Sequence, residues 1–327
     1  MNNKPRILFT ATFSTPFIQE DLQTLRSQYS VTEVISSGVG TFRKFLNEIR
    51  HCDITFSWFA SVYSSTLVFI AKLFGKKSII ILGGVDVAKE KEYDYGIWNS
   101  WWKAIIVRYG ITHADAVLAV DESLKREAIR LAKYDGHNIQ VVPTGYDPER
   151  WKPGAVKENF VLSVGSIHTL ARFKKKGFDI LLDVAHNMTD VQFIIIGIAE
   201  SVAQQFSVPD NVHIYPSLTQ EELLLYYQRA HVYCQLSRHE GLPNSLCEAM
   251  LCECIPVGSD RFGIPNGIGD TGFIVDPERR NDIVSAIRNA LMLNADAGKK
   301  ARKRIIENFP QTLRTEQLHQ VIRSLYI

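Results

Sequence analysis

The 327-residue sequence lacks an apolar run long enough to cross a bilayer. Its longest apolar stretch, Ser57 to Phe74, is interrupted by several serines and by Lys72, whereas a spanning helix needs about 20 predominantly apolar residues. Near the start, Ile7-Leu8-Phe9 is too short for a secretion signal and has no small-residue cleavage site behind it. The five cysteines are an odd number without any Cys-x-x-Cys spacing. That argues against a disulfide framework and for free thiols in a reducing, cytoplasmic setting. Charge of neither sign is in excess, since 37 Lys and Arg stand against 35 Asp and Glu for a formal net charge of +2. No nucleic-acid partner is therefore expected, and any anion must be bound by a local arrangement. Internal repeats and low-complexity tracts are missing as well.

What the sequence does have is ordinary globular composition, 46% hydrophobic and 22% charged, over a length that suits about two domains. Apolar runs of strand length recur at Arg6–Thr10, Ile54–Phe56, Ser78–Leu82, Ala116–Val120 and Ile139–Val142. Segments of helical spacing separate them, such as Ser123 to Lys133. Strands that are apolar throughout, alternating with helices, indicate a parallel sheet covered on both faces. Pro143-Thr-Gly-Tyr-Asp-Pro148 and Trp151-Lys-Pro-Gly154 interrupt the pattern and read as a linker. The alternation restarts with Phe160–Val164, Val191–Ile196, Val212–Tyr215, Val232–Gln235, Ile255–Val257 and Phe273–Val275, and a charged amphipathic stretch from Asp282 onward predicts terminal helices. The fold class expected is α/β, with two Rossmann-like doubly wound parallel-sheet domains facing a cleft. Ligands in such sheets sit at the carboxyl ends of the strands.

The stretch richest in chemistry is Ser237-Arg-His-Glu-Gly-Leu-Pro-Asn-Ser-Leu-Cys-Glu-Ala-Met250. It follows a predicted strand, turns at Gly-Leu-Pro and starts a helix, whose first backbone N–H groups and dipole suit a diphosphate. Glu240 and Glu248 bracket the turn, with seven residues between them. A second reading of Ser245-Leu-Cys-Glu248 is a capping box, in which Glu248 only satisfies a backbone N–H.

These two glutamates resemble the paired carboxylates of the E-x7-E motif of retaining glycosyltransferases, family 4 in particular, which have the two-domain GT-B fold. Further similar segments are His113-Ala-Asp-Ala-Val117, Val142-Pro-Thr-Gly-Tyr-Asp147, Lys176-Gly-Phe-Asp-Ile-Leu-Leu182 and Thr271-Gly-Phe-Ile-Val-Asp-Pro277. The resemblance implies a donor-binding C-terminal domain over 153–305 and an acceptor-side domain over 1–152. A C-terminal helix over 306–327 would pack back on the latter. By the same resemblance Glu248 holds the donor ribose and Glu240 lies beside the transferred sugar. The backbone of Gly241, Leu242, Pro243, Asn244 and Ser245, with Gly165 and Ser166, lines the nucleotide-sugar site.

The family's basic pair on the diphosphate is an Arg after the first glycine of that domain and a Lys just before a later one. Lys176 fits the second place. Ser166 stands in the first, and Arg172 is the nearest replacement. Both are candidate catalytic cations for the departing diphosphate, on which negative charge develops. The alternative is that Arg172-Phe-Lys-Lys-Lys176 is a solvated basic loop. The sequence contains no Asp-x-Asp pair, which glycosyltransferases of the other major fold use to hold a metal, so neither a metal nor another cofactor is expected. The donor is a UDP-, GDP- or ADP-sugar and the acceptor a hydroxyl of a glycan or lipid-linked glycan.

The acceptor half departs from the family's pattern. The first loop, Thr10–Pro16, has no Gly-Gly, and the fourth strand ends in Leu82-Gly83-Gly84-Val85-Asp86 without the usual His. Gly84 and Asp86 are candidates for sugar or acceptor contact, and Asp86 alternatively caps the next helix. These departures leave a second reading, a non-catalytic module that binds a nucleotide sugar or a partner protein. Gly267-Ile-Gly-Asp-Thr-Gly272 has a dinucleotide spacing but precedes a strand instead of opening a helix, so that context fails. His239, Cys247, Cys252 and Cys254 match no common zinc spacing. The aromatic segment Tyr95–Arg108 reads either as core or as a peripheral contact with the inner face of a membrane.

Overall fold

The structure, a computed structural model, describes residues 4–38, 40–154 and 156–326. The chain forms two compact units. The first runs to Lys91, resumes over Tyr95–Thr144 and takes the chain back from Thr312. The second holds Glu92–Asp94 and Gly145–Gln311.

In the first unit β1 (Arg6–Ala11), β2 (Ser30–Ile35), β3 (Ile54–Trp58), β4 (Lys77–Leu82), β5 (Ala116–Ala119) and β6 (Ile139–Val141) alternate with five helices. These are α1 (Pro16–Arg26), α2 (Gly40–Glu48), α3 (Val62–Leu73), α4 (Trp101–His113) and α5 (Glu122–Ala132). All six strands are parallel, in the order β2-β1-β3-β4-β5-β6. β3, β4 and β5 are buried along nearly their whole length, which is why they read as unbroken apolar runs. β2 escapes that reading: its polar sequence Ser-Val-Thr-Glu-Val-Ile lies at the sheet edge, mostly exposed.

The second unit contains β7 (Glu158–Ile167), α6 (Leu170–Lys175), α7 (Phe178–His186), β8 (Gln192–Ile198), α8 (Glu200–Ala203), β9 (Val212–Tyr215) and α9 (Gln220–Arg229). It continues with β10 (Ala230–Gln235), α10 (Asn244–Leu251), β11 (Ile255–Ser259), α11 (Ile264–Ile268), β12 (Phe273–Val275), α12 (Arg280–Met292) and α13 (Ala295–Asn308). Its six strands are parallel too, in the order β12-β11-β10-β7-β8-β9.

The segment after Thr144 is core of the second unit and not a free linker. Trp151 is buried against the Tyr227 ring, with centroids 5.6 Å apart. Arg302 on α13 donates to the carbonyls of Trp151 at 2.9 Å and Pro148 at 3.0 Å. Besides the short excursion at Glu92–Asp94, the chain passes between the units after Thr144 and after Gln311.

The last helix, α14 (Gln311–Leu325), packs Leu318, Val321 and Ile322 into the core of the first unit. Arg314 anchors it: the guanidinium donates to both carboxylate oxygens of Asp21 at 2.7 and 2.6 Å and to the carbonyls of Val142 and Pro143. It also lies over the Trp58 ring, whose indole N–H donates to Asp21 at 2.9 Å. Every charge in this buried group is matched. Removing one partner of such a pair strands the other, at a cost of about 3–5 kcal/mol. Arg314→Ala should lower the urea midpoint of the first unit accordingly, and Arg314→Met combined with Asp21→Asn, which keeps an acceptor for the Trp58 indole N–H, should recover part of the loss. A single-variant loss below about 1 kcal/mol, the level of an exposed pair, would contradict this role.

Candidate functional site

Strand order in the second unit reverses direction between β7 and β10. The crevice outside the carboxyl ends of two such strands is where doubly wound sheets take their ligands. Near the end of β7 lie Gly165 and Ser166, where its pairing with β8 shifts register, and α6 follows. Out of β10 comes the loop from Leu236 to Pro243 that opens α10. The two segments singled out from the sequence therefore converge at one switch point.

α10 starts at Asn244 with Pro243 as N-cap and has no side-chain cap. Ser245 lies inside the helix and turns its hydroxyl to Gln235 at 3.3 Å, while Glu248 accepts from the Tyr227 hydroxyl at 3.1 Å. The capping-box reading is thus ruled out. The first-turn N–H groups have no intrahelical partner, and their dipole attracts an anion. Buried Leu246, Cys247, Ala249 and Met250 fix the helix to the sheet. The Asn244 amide oxygen accepts from the Tyr146 hydroxyl at 2.9 Å, and Gly241, Leu242 and Pro243 are buried beneath the turn.

Gln235, at the end of β10, organises the polar floor. Its carboxamide oxygen accepts from Tyr233 and its nitrogen donates to Ser237 at 2.7 Å. Ser237 in turn reaches the Lys176 carbonyl, and the Arg238 amide donates to the Lys175 carbonyl at 2.9 Å. Arg238 also grips Asp179 on α7 with two bonds, of 2.8 and 3.0 Å. The β10 loop is in this way latched to the end of α6. Gly177 makes the latch sterically feasible: its φ is +73°, and a Cβ there would stand 2.1 Å from the Leu236 carbonyl oxygen.

At the centre of the latch, Glu240 carries two cations. Its carboxylate pairs with the Lys176 ammonium, and the Lys175 Nζ lies 3.6 Å from the same oxygen. Lys175 and Glu240 expose only 5% and 13% of their side chains. Burial by itself would raise the Glu240 pKa, but Lys175 and Lys176 outweigh it and hold the carboxyl down at about 2. Burial pulls Lys175 the other way for a base, down to about 7, against the pull of Glu240. This buried carboxylate and its two lysines stand beside an uncapped helix start.

Lys175 is the residue missed in the sequence, and Arg172, expected on the diphosphate, lies about one turn earlier on α6. α6 begins at Thr169, whose hydroxyl caps the Arg172 amide. That phase leaves Arg172 and Lys174 exposed and buries Lys175. Three successive lysines look alike in a sequence, and only the helix start decides which one turns inward. Ser166 is exposed and bonds His168 at 3.2 Å. Asp86, the candidate for sugar or acceptor contact, is turned inward. It is 0% exposed, and its carboxylate accepts from the amides of Ala60, Gly83 and Gly84 at 3.0, 3.2 and 2.7 Å. It ties the loops after β3 and β4 together and presents no oxygen to an acceptor. Burial raises its pKa to about 6 against those amides. Gly84 is buried beside it. Cys247, Cys252 and Cys254 are buried thiols, and His239 lies against Phe262, with centroids 3.8 Å apart and the rings tilted by 41°. Among the described residues no His, Cys, Asp and Glu group is arranged to hold a metal.

The sequence is 26% identical to alpha-maltose-1-phosphate synthase of Mycobacterium tuberculosis over 72% of this chain and 69% of that protein. It is 18% identical, over 68% of this chain, to a phosphatidylinositol N-acetylglucosaminyltransferase component from Arabidopsis thaliana. The chain spans about half the length of that plant protein and of the D-inositol 3-phosphate glycosyltransferase of Xylanimonas cellulosilytica, 48% and 51%. Among solved structures, sucrose-phosphate synthase of Thermosynechococcus elongatus superposes over 98% of this chain and 99% of its own, with TM-score 0.80 at 14% identity. Anabaena HepE in complex with UDP does so over 98% and 100%, with TM-score 0.75 at 14% identity. These likenesses show the two-domain GT-B fold. The family described as glycosyl transferases group 1 matches residues 146–312, the stretch that contains the switch point, the lysine pair and α10, and this chain belongs to that family.

Proposed function

We propose that the chain is a retaining glycosyltransferase acting on the cytoplasmic side. It moves a sugar from a nucleotide-diphosphate sugar to a hydroxyl of a glycan or lipid-linked glycan, without a metal. The observation that carries this reading is the buried cluster of Lys175, Lys176 and Glu240 next to the uncapped start of α10. Diphosphate is the anion that such a site fits. The relatives support a sugar donor, and the HepE structures with UDP and UDP-glucose put UDP-sugars first in the donor series.

In this reading the diphosphate meets the amide N–H groups of Leu242, Asn244 and Ser245 and draws Lys176 to itself. Glu248, aimed by Tyr227, accepts from the ribose hydroxyls. As the bond from the anomeric carbon breaks, its electron pair leaves with the phosphate oxygen. The two lysines and the helix dipole stabilise the charge that develops there, the largest kind of catalytic contribution. The acceptor oxygen bonds the anomeric carbon on the face the diphosphate leaves. Glu240 keeps Lys175 beside it and stays ionised, so it steadies the cationic sugar and orients its hydroxyls. It is too weak a base for the acceptor proton. A phosphate oxygen, with a pKa of ~6, is the stronger base and takes it. Retention rests on the family resemblance. The missing Gly-Gly loop and the inward-turned Asp86 favour a second reading, a non-catalytic nucleotide-sugar module, which predicts binding without turnover.

Thermal-shift measurements across UDP-, GDP- and ADP-sugars should single out one donor, since a ligand of the folded state raises its stability. Glu248→Ala should abolish that shift. Lys176→Ala should keep most of it and slow transfer or donor hydrolysis by about 10²-fold. Normal turnover in both variants would remove the assignment. The Glu240 carboxyl supplies a separate check. Its folded pKa lies below the unfolded value of ~4.3, so its ionisation contributes stability above that pH, and the contribution is lost as pH falls toward 2. The melting temperature of Glu240→Gln should accordingly lie well below that of the native chain at pH 7 and converge with it below pH 4. A constant difference across that range would contradict the ionised pairing.

A further inference from the structure

The helices that cover one face of the first sheet are unusual in what they leave outside. Successive right-handed crossovers from β2 through β5 place α2, α3 and α4 on the same face, and α2 packs against α3 and α3 against α4. A surface helix ordinarily turns its apolar stripe to the core and charged residues to water. α4 does the reverse over its first turns. Val107, Gly110 and Ile111 face inward, while Trp101 and Ile105, one turn apart, are 76% and 60% exposed, with Trp102 beside them. On α3 the outward positions are Phe69, Lys72 and Leu73, the last 69% exposed, followed by Phe74. Phe69 touches Tyr109 of α4, with centroids 6.0 Å apart, so the two outer faces adjoin.

Charge on α3 and α4 has one sign, whereas α2 carries Glu48 beside Arg43 and Lys44. α3 and α4 together carry Lys72, Lys103 and Arg108 and no Asp or Glu, in a chain whose charges otherwise nearly balance. The neighbouring α5, by contrast, mixes Glu122 and Glu127 with its Lys and Arg. Cations also rest on the exposed rings: Lys103 lies 5.5 Å over Trp102 and Arg50 5.9 Å over Phe74. No described helix is long and apolar enough to cross a membrane.

We propose that the outer face of α3 and α4 docks on an anionic lipid surface. Trp and Phe rings enter the headgroup boundary while Lys72, Lys103 and Arg108 meet the lipid phosphates, the pairing of aromatic and basic side chains that interfaces favour. A second copy of this chain fits the face poorly, because a two-fold contact would set these cations against their own equivalents with no carboxylate between them. α4 begins at the carboxyl-end side of the strands, where doubly wound sheets take ligands. A docked chain would therefore bring that edge of the first unit to the bilayer. The inference deepens the lipid-linked half of the proposed function and rests on it only for the acceptor.

Flotation of the full chain with vesicles tests it. Vesicles of equimolar phosphatidylcholine and phosphatidylglycerol should carry the protein, and phosphatidylcholine alone should not. The tryptophan emission should shift to the blue on binding, and added salt should weaken binding. Trp101→Ser with Trp102→Ser, and separately Lys72→Glu with Lys103→Glu, should each reduce partitioning by about tenfold, with the donor-induced thermal shift unchanged. Equal partitioning of the variants and the native chain overturns the inference. So does failure to bind anionic vesicles, or a concentration-dependent dimer that Trp101→Ser abolishes. If vesicle binding persists while no nucleotide sugar shifts the melting temperature, the docking stands and the donor assignment falls.

Discussion

The contact on which the rest of the donor half depends is one carboxylate held by two ammonium groups, Glu240 with Lys175 and Lys176. Burying three charges is expensive, and the attraction between them repays it only when the geometry is tight. The second unit supplies that geometry through backbone. The β10 loop is bonded to the carbonyls of Lys175 and Lys176, Arg238 clamps the loop to α7, and Gly177 lets the two strands of chain pass at close range. Perturbed groups of this kind, assembled in a strand-end crevice, mark functional sites more often than structural ones.

The two units use buried charge in opposite ways. In the first, Arg314 meets Asp21 one to one, and the spare donors are spent on carbonyls and the Trp58 ring. Nothing is left for a ligand, and the result is an anchor for the last helix. Asp86 is likewise consumed, by three amides. At the switch point of the second unit Glu240, Lys175 and Lys176 meet beside the uncapped start of α10, at the strand ends where doubly wound sheets take their ligands. Position in the fold, more than burial, separates the anchor from the site.

Much of this was legible in the residues, and the failures have physical causes. Strands buried on both sheet faces advertise themselves as runs such as Ser78–Leu82, whereas β2, at an edge with one wet side, carries no such signature. The turn and helix at 241–251 followed from Gly-Leu-Pro and the apolar spacing behind it. Whether Glu248 capped its own helix was not decidable from spacing, because the answer lies with Tyr227 on another helix. The choice between Arg172 and Lys175 depended on the phase of a six-residue helix set by Thr169. The inward turn of Asp86 depended on amides from two loops 23 or more positions apart in sequence, Ala60 and Gly83–Gly84.

A structure of the chain crystallised with a nucleoside diphosphate would test the central claim most directly. The account requires the terminal phosphate within hydrogen-bond distance of the amides at Asn244 and Ser245, with Lys176 swung from Glu240 onto it and the ribose on Glu248. A nucleotide seated away from α10, or a Lys176 still paired with Glu240 while the nucleotide is bound, would contradict it.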